Sequence, residues 1–168
     1  ISVTGVQTCA LPILEPLRAA LLSHPVSTAN PTPIRVGAFG MLGGKRYIVT
    51  ARVMMATEEA GETYYWNEFY LSDGSDQLAL LVCEENYGAQ QWRLFTEFTP
   101  DSTLTATVAE RQRIGLRVEL DGVSAPVTHV GAARVHFIEG RAPDWLSRGE
   151  VSRYFNVESG NQIWVVSW

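Results

Sequence analysis

The chain has 168 residues, of which 46% are hydrophobic and 10% aromatic, and its 13 basic against 18 acidic side chains give a net charge of −5. This composition is sufficient for one packed core and excludes a disordered chain. The acidic balance argues against a nucleic-acid partner, which requires a basic surface for phosphate. Because the chain lacks a run of about 18 apolar residues, no membrane span is predicted in this fragment.

Both ends of the chain are interpreted as unnatural. Residues 3–13 read as the translation of a common short-read sequencing adapter, so we treat residues 1–13 as a non-native segment and exclude it from fold prediction. Residues 162–168 form a strand pattern that ends on an aromatic residue without a turn or a polar tail. We therefore expect a chain that is truncated at both ends.

Residues 14–33 are expected to precede the folded domain. Residues 14–23 carry apolar side chains at helical spacing with a proline near the start, which predicts a short amphipathic helix. Residues 24–33 hold three prolines among serine, threonine and asparagine, a composition typical of a linker. The β-rich domain is therefore predicted to span residues 34–168.

Strand patterns dominate this domain. They lie at residues 45–55, 63–72, 77–84, 91–98, 116–120, 123 onward, 134–139, 151–157 and 162–168. The capping-box spacing of Thr107 and Glu110 predicts a brief helix around residues 105–112, and Asp121-Gly122 predicts a hairpin. About nine or ten short strands predict a mainly β domain, an antiparallel β-sandwich or barrel-like fold. Its two strand clusters, residues 34–98 and 115–168, flank the brief helix.

Several features that resemble reactive sites are interpreted as structural. The glycine-rich residues 37–45 lack the spacing of a phosphate-binding loop, so they predict a loop between strands. Cys83 lies in an apolar strand and is predicted to be a buried, unreactive thiol. His129 and His136 lie on or beside neighbouring predicted strands and could meet around a metal ion with Glu139, but half-exposed strand histidines are the preferred interpretation. The carboxylate pairs at residues 58–59 and 84–85 are interpreted as solvated loop edges.

One predicted strand carries the candidate ligand-binding residues. Four of its side chains alternate onto one face, namely Tyr64, Trp66, Glu68 and Tyr70. Aromatic rings around a carboxylate suit an organic cation such as an amine or polyamine. The preferred interpretation, however, is that Trp66 and Tyr70 pack in the core while Glu68 lies at an edge or pairs with Arg46 or Arg52.

Short motifs at residues 44–49, 65–71, 135–143 and 149–151 carry a family resemblance. With them the chain resembles the bacterial domain-of-unknown-function family 4178, whose recurring features are G-x-x-Y-x-V, W-x-E-[YF]-x-L and a late G-x-x-P turn. The resemblance covers about residues 34–168 and implies a compact β-rich bacterial domain that occurs with other modules or in duplicate. It brings no established activity, cofactor or catalytic residue.

We therefore predict a non-enzymatic binding or interaction module of a larger bacterial protein, with an unidentified protein partner or small ligand. Aromatic side chains on strands support this prediction, since exposed ones mark contact surfaces. The alternative is an enzyme or enzyme-accessory domain that handles a small cationic ligand through the strand face of Glu68. No catalytic residue, metal ligand or cofactor is assigned. A lone buried cysteine favours a cytoplasmic location.

Overall fold

A computed structural model of the chain describes residues 2–7, 26–86, 88–97, 99, 104–120 and 122–168. The helix predicted over residues 14–23 lies outside the described residues. The segment interpreted as adapter-derived is described only where residues 2–7 form a strand.

Ten strands and one short helix form the described fold, which confirms the prediction of a mainly β domain. In chain order they are β1 (Ser2–Gln7), β2 (Phe39–Leu42), β3 (Lys45–Glu59), β4 (Glu62–Ser72), β5 (Ala79–Asn86), β6 (Ala89–Glu97), α1 (Ala106–Glu110), β7 (Arg117–Leu120), β8 (Val123–Gly140), β9 (Val151–Ser159) and β10 (Gln162–Ser167). The strands form one antiparallel sheet that is curled into a half-barrel.

Two long strands give the sheet its curl. The strand order is β2-β3-β4-β5-β6-β1-β10-β9-β8-β7, and β3 pairs additionally with β8. One edge of β3 pairs with β4, while the other pairs with β2 at its start and with β8 over residues 51–57. Since strand twist accumulates across a sheet, this second pairing curves the sheet back on itself. Strands of both predicted clusters therefore belong to one sheet.

Strand β8 differs from the prediction of separate strands at 123 onward and at 134–139. It runs without interruption through 18 residues, including the weakly strand-forming Gly131-Ala132-Ala133. The reason is long-range pairing, because Ala133 lies opposite Ser152 of β9 on one edge and opposite Thr57 of β3 on the other. Backbone hydrogen bonds on both edges thus override weak local propensity.

The short helix and the hairpin are confirmed, with one difference in the cap. The N-terminal cap of α1 is Thr105, whose hydroxyl accepts a hydrogen bond from the Val108 amide, and not Thr107. Thr105 has the extended backbone that a cap requires. The β7–β8 hairpin pairs Leu120 with Val123 around Gly122, which has a positive φ of 71°.

The outer face of the sheet carries two apolar clusters. One packs side chains of β3, β4 and β5 against Ile34 and Leu42 of the preceding segment, and it includes Tyr47, Val49, Phe69, Leu71, Ala79, Leu81 and Cys83. The other packs β7–β10 against α1 through Ala109, Val118, Leu120, Ala125, Val127, Phe155, Val157, Trp164 and Val166. Burial of these side chains contributes the hydrophobic free energy that holds the strands together.

A buried arginine joins the proline-rich segment to this outer face. Arg52 of β3 is 2% exposed, and its Nη2 donates a 2.6 Å hydrogen bond to the carbonyl of Thr28. Its Nε and Nη1 donate 3.0 Å hydrogen bonds to Glu139 and Asn67. Residues 26–36 therefore lie against the sheet. In the described residues, no helix reaches the length and hydrophobicity that crossing a bilayer requires.

Candidate functional site

The inner face of the curled sheet borders an open cavity of about 1750 Å³, the inner cavity. Its wall is formed by side chains of β3–β6 on one side and of β8–β10 on the other. This volume exceeds the roughly 300–1,000 Å³ that is usual for a small-molecule site. The inner cavity therefore has room for an elongated ligand together with water.

All four residues of the predicted strand face line the inner cavity, namely Tyr64, Trp66, Glu68 and Tyr70. They alternate along β4 with residues that point to the outer face, among them the fully buried Phe69. Tyr70 is buried, whereas Trp66 and Glu68 are half-buried and keep some surface open to the inner cavity. The alternation read from the sequence thus identifies the side chains that share this wall.

Glu68 is held by hydrogen bonds from neutral aromatic side chains. Trp66 Nε1 donates to Glu68 Oε1 over 2.9 Å, and the Tyr70 hydroxyl donates to the same carboxylate. Burial raises the pKa of the Glu68 carboxyl, and the nearby Glu84 carboxylate adds to this effect. Burial, together with the charge of Glu68, also raises the pKa of Tyr70 far above its ordinary value, so Tyr70 remains a neutral donor.

Neither arginine considered as a partner for Glu68 pairs with it. Arg52 points to the outer face and pairs with Glu139, and its guanidinium lies 5.2 Å from the centre of the Phe137 ring. Arg46 lies 5.1 Å from the centre of the Phe39 ring. The pairing of Glu68 with either arginine is therefore wrong. Core packing is confirmed for Tyr70, which is 3% exposed in an apolar cluster of the inner face against which Trp66 packs.

Carboxylates dominate the charged side chains of the inner cavity. Its described wall contains eight Asp or Glu side chains against a single Arg and no Lys. That arginine, Arg93, forms an ion pair with Glu84, and His129 Nε2 lies 3.3 Å from Glu59 Oε1. Among the described residues, Glu68 forms no ion pair with an arginine, a lysine or a histidine. The negative potential of the wall favours a cation.

A family model described as a domain of unknown function, DUF4178, matches residues 35–167. The chain belongs to the DUF4178 family. The match confirms the resemblance seen in the short motifs. No curated protein and no solved structure matches the chain.

The two strand histidines of the DUF4178 domain are not neighbours. Both belong to β8, seven residues apart, which is roughly 23 Å along an extended strand. The His129 ring stacks on Tyr154 with centroids 5.5 Å apart, whereas His136 meets Tyr65 edge-on at 5.2 Å. The expectation that they lie on neighbouring strands is therefore wrong. Among the residues that the structure describes, no group of three or more His, Cys, Asp and Glu side chains is arranged to hold a metal ion.

Two other sequence features of the DUF4178 domain have the structural roles predicted for them. Gly43 and Gly44 form the turn between β2 and β3, with positive φ values of 56° and 79°. Cys83 is 4% exposed in the apolar cluster of the outer face, and burial raises the pKa of its thiol. A raised thiol pKa lowers the thiolate fraction, so the reactivity of Cys83 is low.

Sequence reasoning missed several polar residues of the inner cavity: Glu59, Glu84, Arg93, His129, Tyr154 and Asn156. Residues 84–85 lie within β5 and not at a loop edge. The Glu84 side chain is 41% exposed, as predicted for a solvated carboxylate, and it pairs with Arg93. The alternation of Leu80, Val82 and Glu84 along β5 could have predicted that these three side chains share one face of the sheet. Nothing local to β9 indicated that Tyr154 faces β4, because that arrangement depends on the curl of the sheet.

Proposed function

We propose that this DUF4178 domain is a binding module that holds a small organic cation, an amine, in the inner cavity against Glu68. The observation that carries the proposal is a half-buried carboxylate whose hydrogen-bond donors among the described residues are all neutral, within an acidic and aromatic wall. An ammonium group supplies the charge that this surrounding lacks.

The energetics of the Glu68 carboxylate favour a cationic ligand. Burying a carboxylate without a cationic partner is unfavourable, which is why its pKa is raised. An ammonium group at hydrogen-bond distance offsets that cost, and a charged hydrogen bond of this kind contributes about 1.5–3 kcal/mol. The partly exposed ring of Trp66 adds attraction of about 0.5–2 kcal/mol if the cation lies over its face.

The binding module and the alternative, an enzyme or enzyme-accessory domain, differ in the fate of the amine. The two hydrogen bonds that hold Glu68 fix its carboxylate in one orientation, which serves binding directly. In the enzyme alternative the amine is converted, so product accumulates when amine and protein are incubated together. Recovery of the unchanged amine supports the binding module.

The test is titration of the purified chain with spermidine, followed by tryptophan fluorescence and by calorimetry. We expect saturable binding in the wild type and a loss of about tenfold or more in affinity for Glu68→Gln, because one charged contact is removed. Glu85→Gln is the matched control, since Glu85 is an exposed carboxylate on the rim of the same cavity, and its affinity should stay within about twofold.

Two results contradict the proposal. One is the absence of saturable binding by the wild type at millimolar spermidine. The other is equal affinity of wild type and Glu68→Gln when both variants show the same thermal unfolding midpoint.

A further inference from the structure

A second polar group lies in the inner cavity at the end of β3. His129 Nε2 lies 3.3 Å from Glu59 Oε1 and 3.1 Å from the Tyr154 hydroxyl. The side chains of Glu59 and His129 are 47% and 36% exposed, so both remain accessible to a ligand. Like the surroundings of Glu68, this group combines one carboxylate with aromatic rings.

The backbone is shaped to seat the Tyr154 ring. Gly131 of β8 lies directly opposite Tyr154, and a Cβ atom at position 131 would be 2.9 Å from the Cζ and hydroxyl atoms of Tyr154. Glycine in the interior of a strand is unfavourable unless another group must approach closely. Because Gly131 has only a hydrogen in place of a Cβ atom, the rings of Tyr154 and His129 have room to stack beside it.

An unused acceptor lies beside this group. Asn156 lines the inner cavity and is the register partner of His129. Its Oδ1 atom is buried and has no hydrogen-bond partner among the described residues. Buried polar atoms without partners are uncommon and call for an explanation. Rotation of the Asn156 amide toward the cavity would present this acceptor to an ammonium group, which only donates.

Glu59 and Glu68 lie at different depths of the same wall. Glu68 is opposite Val53 of β3, six residues before Glu59, which corresponds to roughly 20 Å along the strand. Burial raises the pKa of Tyr154 to about 12, and the charge of Glu59, followed by the smaller effects of Glu84 and Glu68, adds to the rise. Glu59 also faces Glu62 directly across the hairpin, an unfavourable pairing of like charges.

Resting on the proposed function, we propose that the ligand is a long linear polyamine, with one terminal ammonium group bound at Glu68 and the other bound by Glu59 beside Tyr154 and Asn156. The open volume between the two carboxylates accommodates the apolar chain that joins the ammonium groups. A compact monoamine occupies only the Glu68 position.

The test is a calorimetric titration with butylamine, putrescine, spermidine and spermine, using the purified chain at constant ionic strength. We expect spermine to bind more tightly than butylamine, putrescine and spermidine, because only its chain is long enough to approach both carboxylates, which lie roughly 20 Å apart along the sheet. Glu59→Gln should lower the affinity for spermine by about tenfold and leave that for butylamine within about twofold. Glu58→Gln is the matched control, because Glu58 is the neighbouring carboxylate and is hydrogen-bonded to Thr63; it should change neither affinity.

The possible failures are distinguishable. If butylamine and spermine bind the wild type equally, or if Glu59→Gln weakens both alike, the two-point inference is overturned while amine binding at Glu68 stands. An equal loss of spermine affinity in Glu58→Gln and Glu59→Gln indicates attraction by general negative charge only, and it also overturns the inference. If no amine binds the wild type, the proposed function itself fails.

Discussion

Glu68 carries a charge that its surroundings disfavour in the unliganded domain. Its partners Trp66 and Tyr70 orient the carboxylate without neutralising it. For an acid whose pKa is raised in the folded state, the native protein retains the proton longer than the unfolded chain. Stability therefore falls as the pH rises from the ordinary glutamate value through the raised value.

The raised pKa of Glu68 predicts opposite effects of its charge: the ionised carboxylate increases amine affinity but lowers the stability of the unliganded domain. Amine affinity should fall as the pH decreases through the raised pKa of Glu68, at a higher pH than an ordinary glutamate allows, because the protonated carboxyl no longer attracts ammonium. Unliganded Glu68→Gln should resist urea better than the wild type near neutral pH, since it lacks the unfavourable charge. Butylamine titrations and urea unfolding at several pH values measure both effects. A wild-type affinity that stays constant down to the ordinary glutamate pKa contradicts the prediction.

Gly140, the glycine of the late G-x-x-P motif, is required by its local geometry. Its φ is 85°, and a Cβ atom there would lie 2.5 Å from the Thr50 carbonyl oxygen and 2.9 Å from Val36. Gly140→Ala should therefore destabilise the domain by at least about 2 kcal/mol, through strain and backbone displacement together. The matched control is Gly149→Ala, because Gly149 has a φ of 87° and open space around it. Urea unfolding compares the two, and equal losses of stability rule out the steric explanation.

At the scale of elements, local pattern predicted β4 well and β8 poorly. The β4 alternation separates cavity residues from the outer-face Phe69 within a single strand, so sequence alone identifies its two faces. In β8, the weakly strand-forming residues 131–133 extend because β9 pairs with all three and β3 pairs with Ala133 on the other edge. Such pairing joins residues that are distant in sequence, and no local pattern encodes it.

Arg52 is the connection between the segment 26–36 and the sheet. Removal of its guanidinium leaves Asn67 and the Thr28 carbonyl without their donor, and the loss of one partner from a buried ionic network costs about 3–5 kcal/mol. Because Glu139 is 42% exposed and can be solvated, we expect the lower end, about 3 kcal/mol, for Arg52→Met.

Urea unfolding and hydrogen exchange measure this effect. Exchange of the amides in residues 26–36 should accelerate in Arg52→Met before global unfolding. Arg46→Met is the control, since Arg46 is an exposed arginine stacked on Phe39 and should cost less than about 1 kcal/mol. Unchanged exchange in the segment 26–36 of Arg52→Met argues against a tethering role.

At the scale of the whole molecule, the sequence predicted the fold class and one wall of the inner cavity but not the cavity itself. Tyr64, Trp66, Glu68 and Tyr70 share a wall because strands alternate. Glu84 and Arg93 join them through pairing of neighbouring strands, whereas Tyr154 and Asn156 face them only because the sheet curls. The shape of the binding space is therefore a property of the closed topology rather than of any one strand.

The placement of the apolar clusters has a consequence for how the domain can change. Two apolar clusters lie behind the sheet, against the segment around Ile34 and against α1. Two smaller ones, around Val53 and around Val82, lie on the inner face, and the charged wall residues lie outside all four. Substitution of half-buried wall residues such as Glu59 therefore removes little of the packing that keeps the chain folded. The polar lining of the cavity can therefore vary while the apolar clusters on both faces of the sheet stay constant. The same separation makes the inner cavity a practical target for redesign.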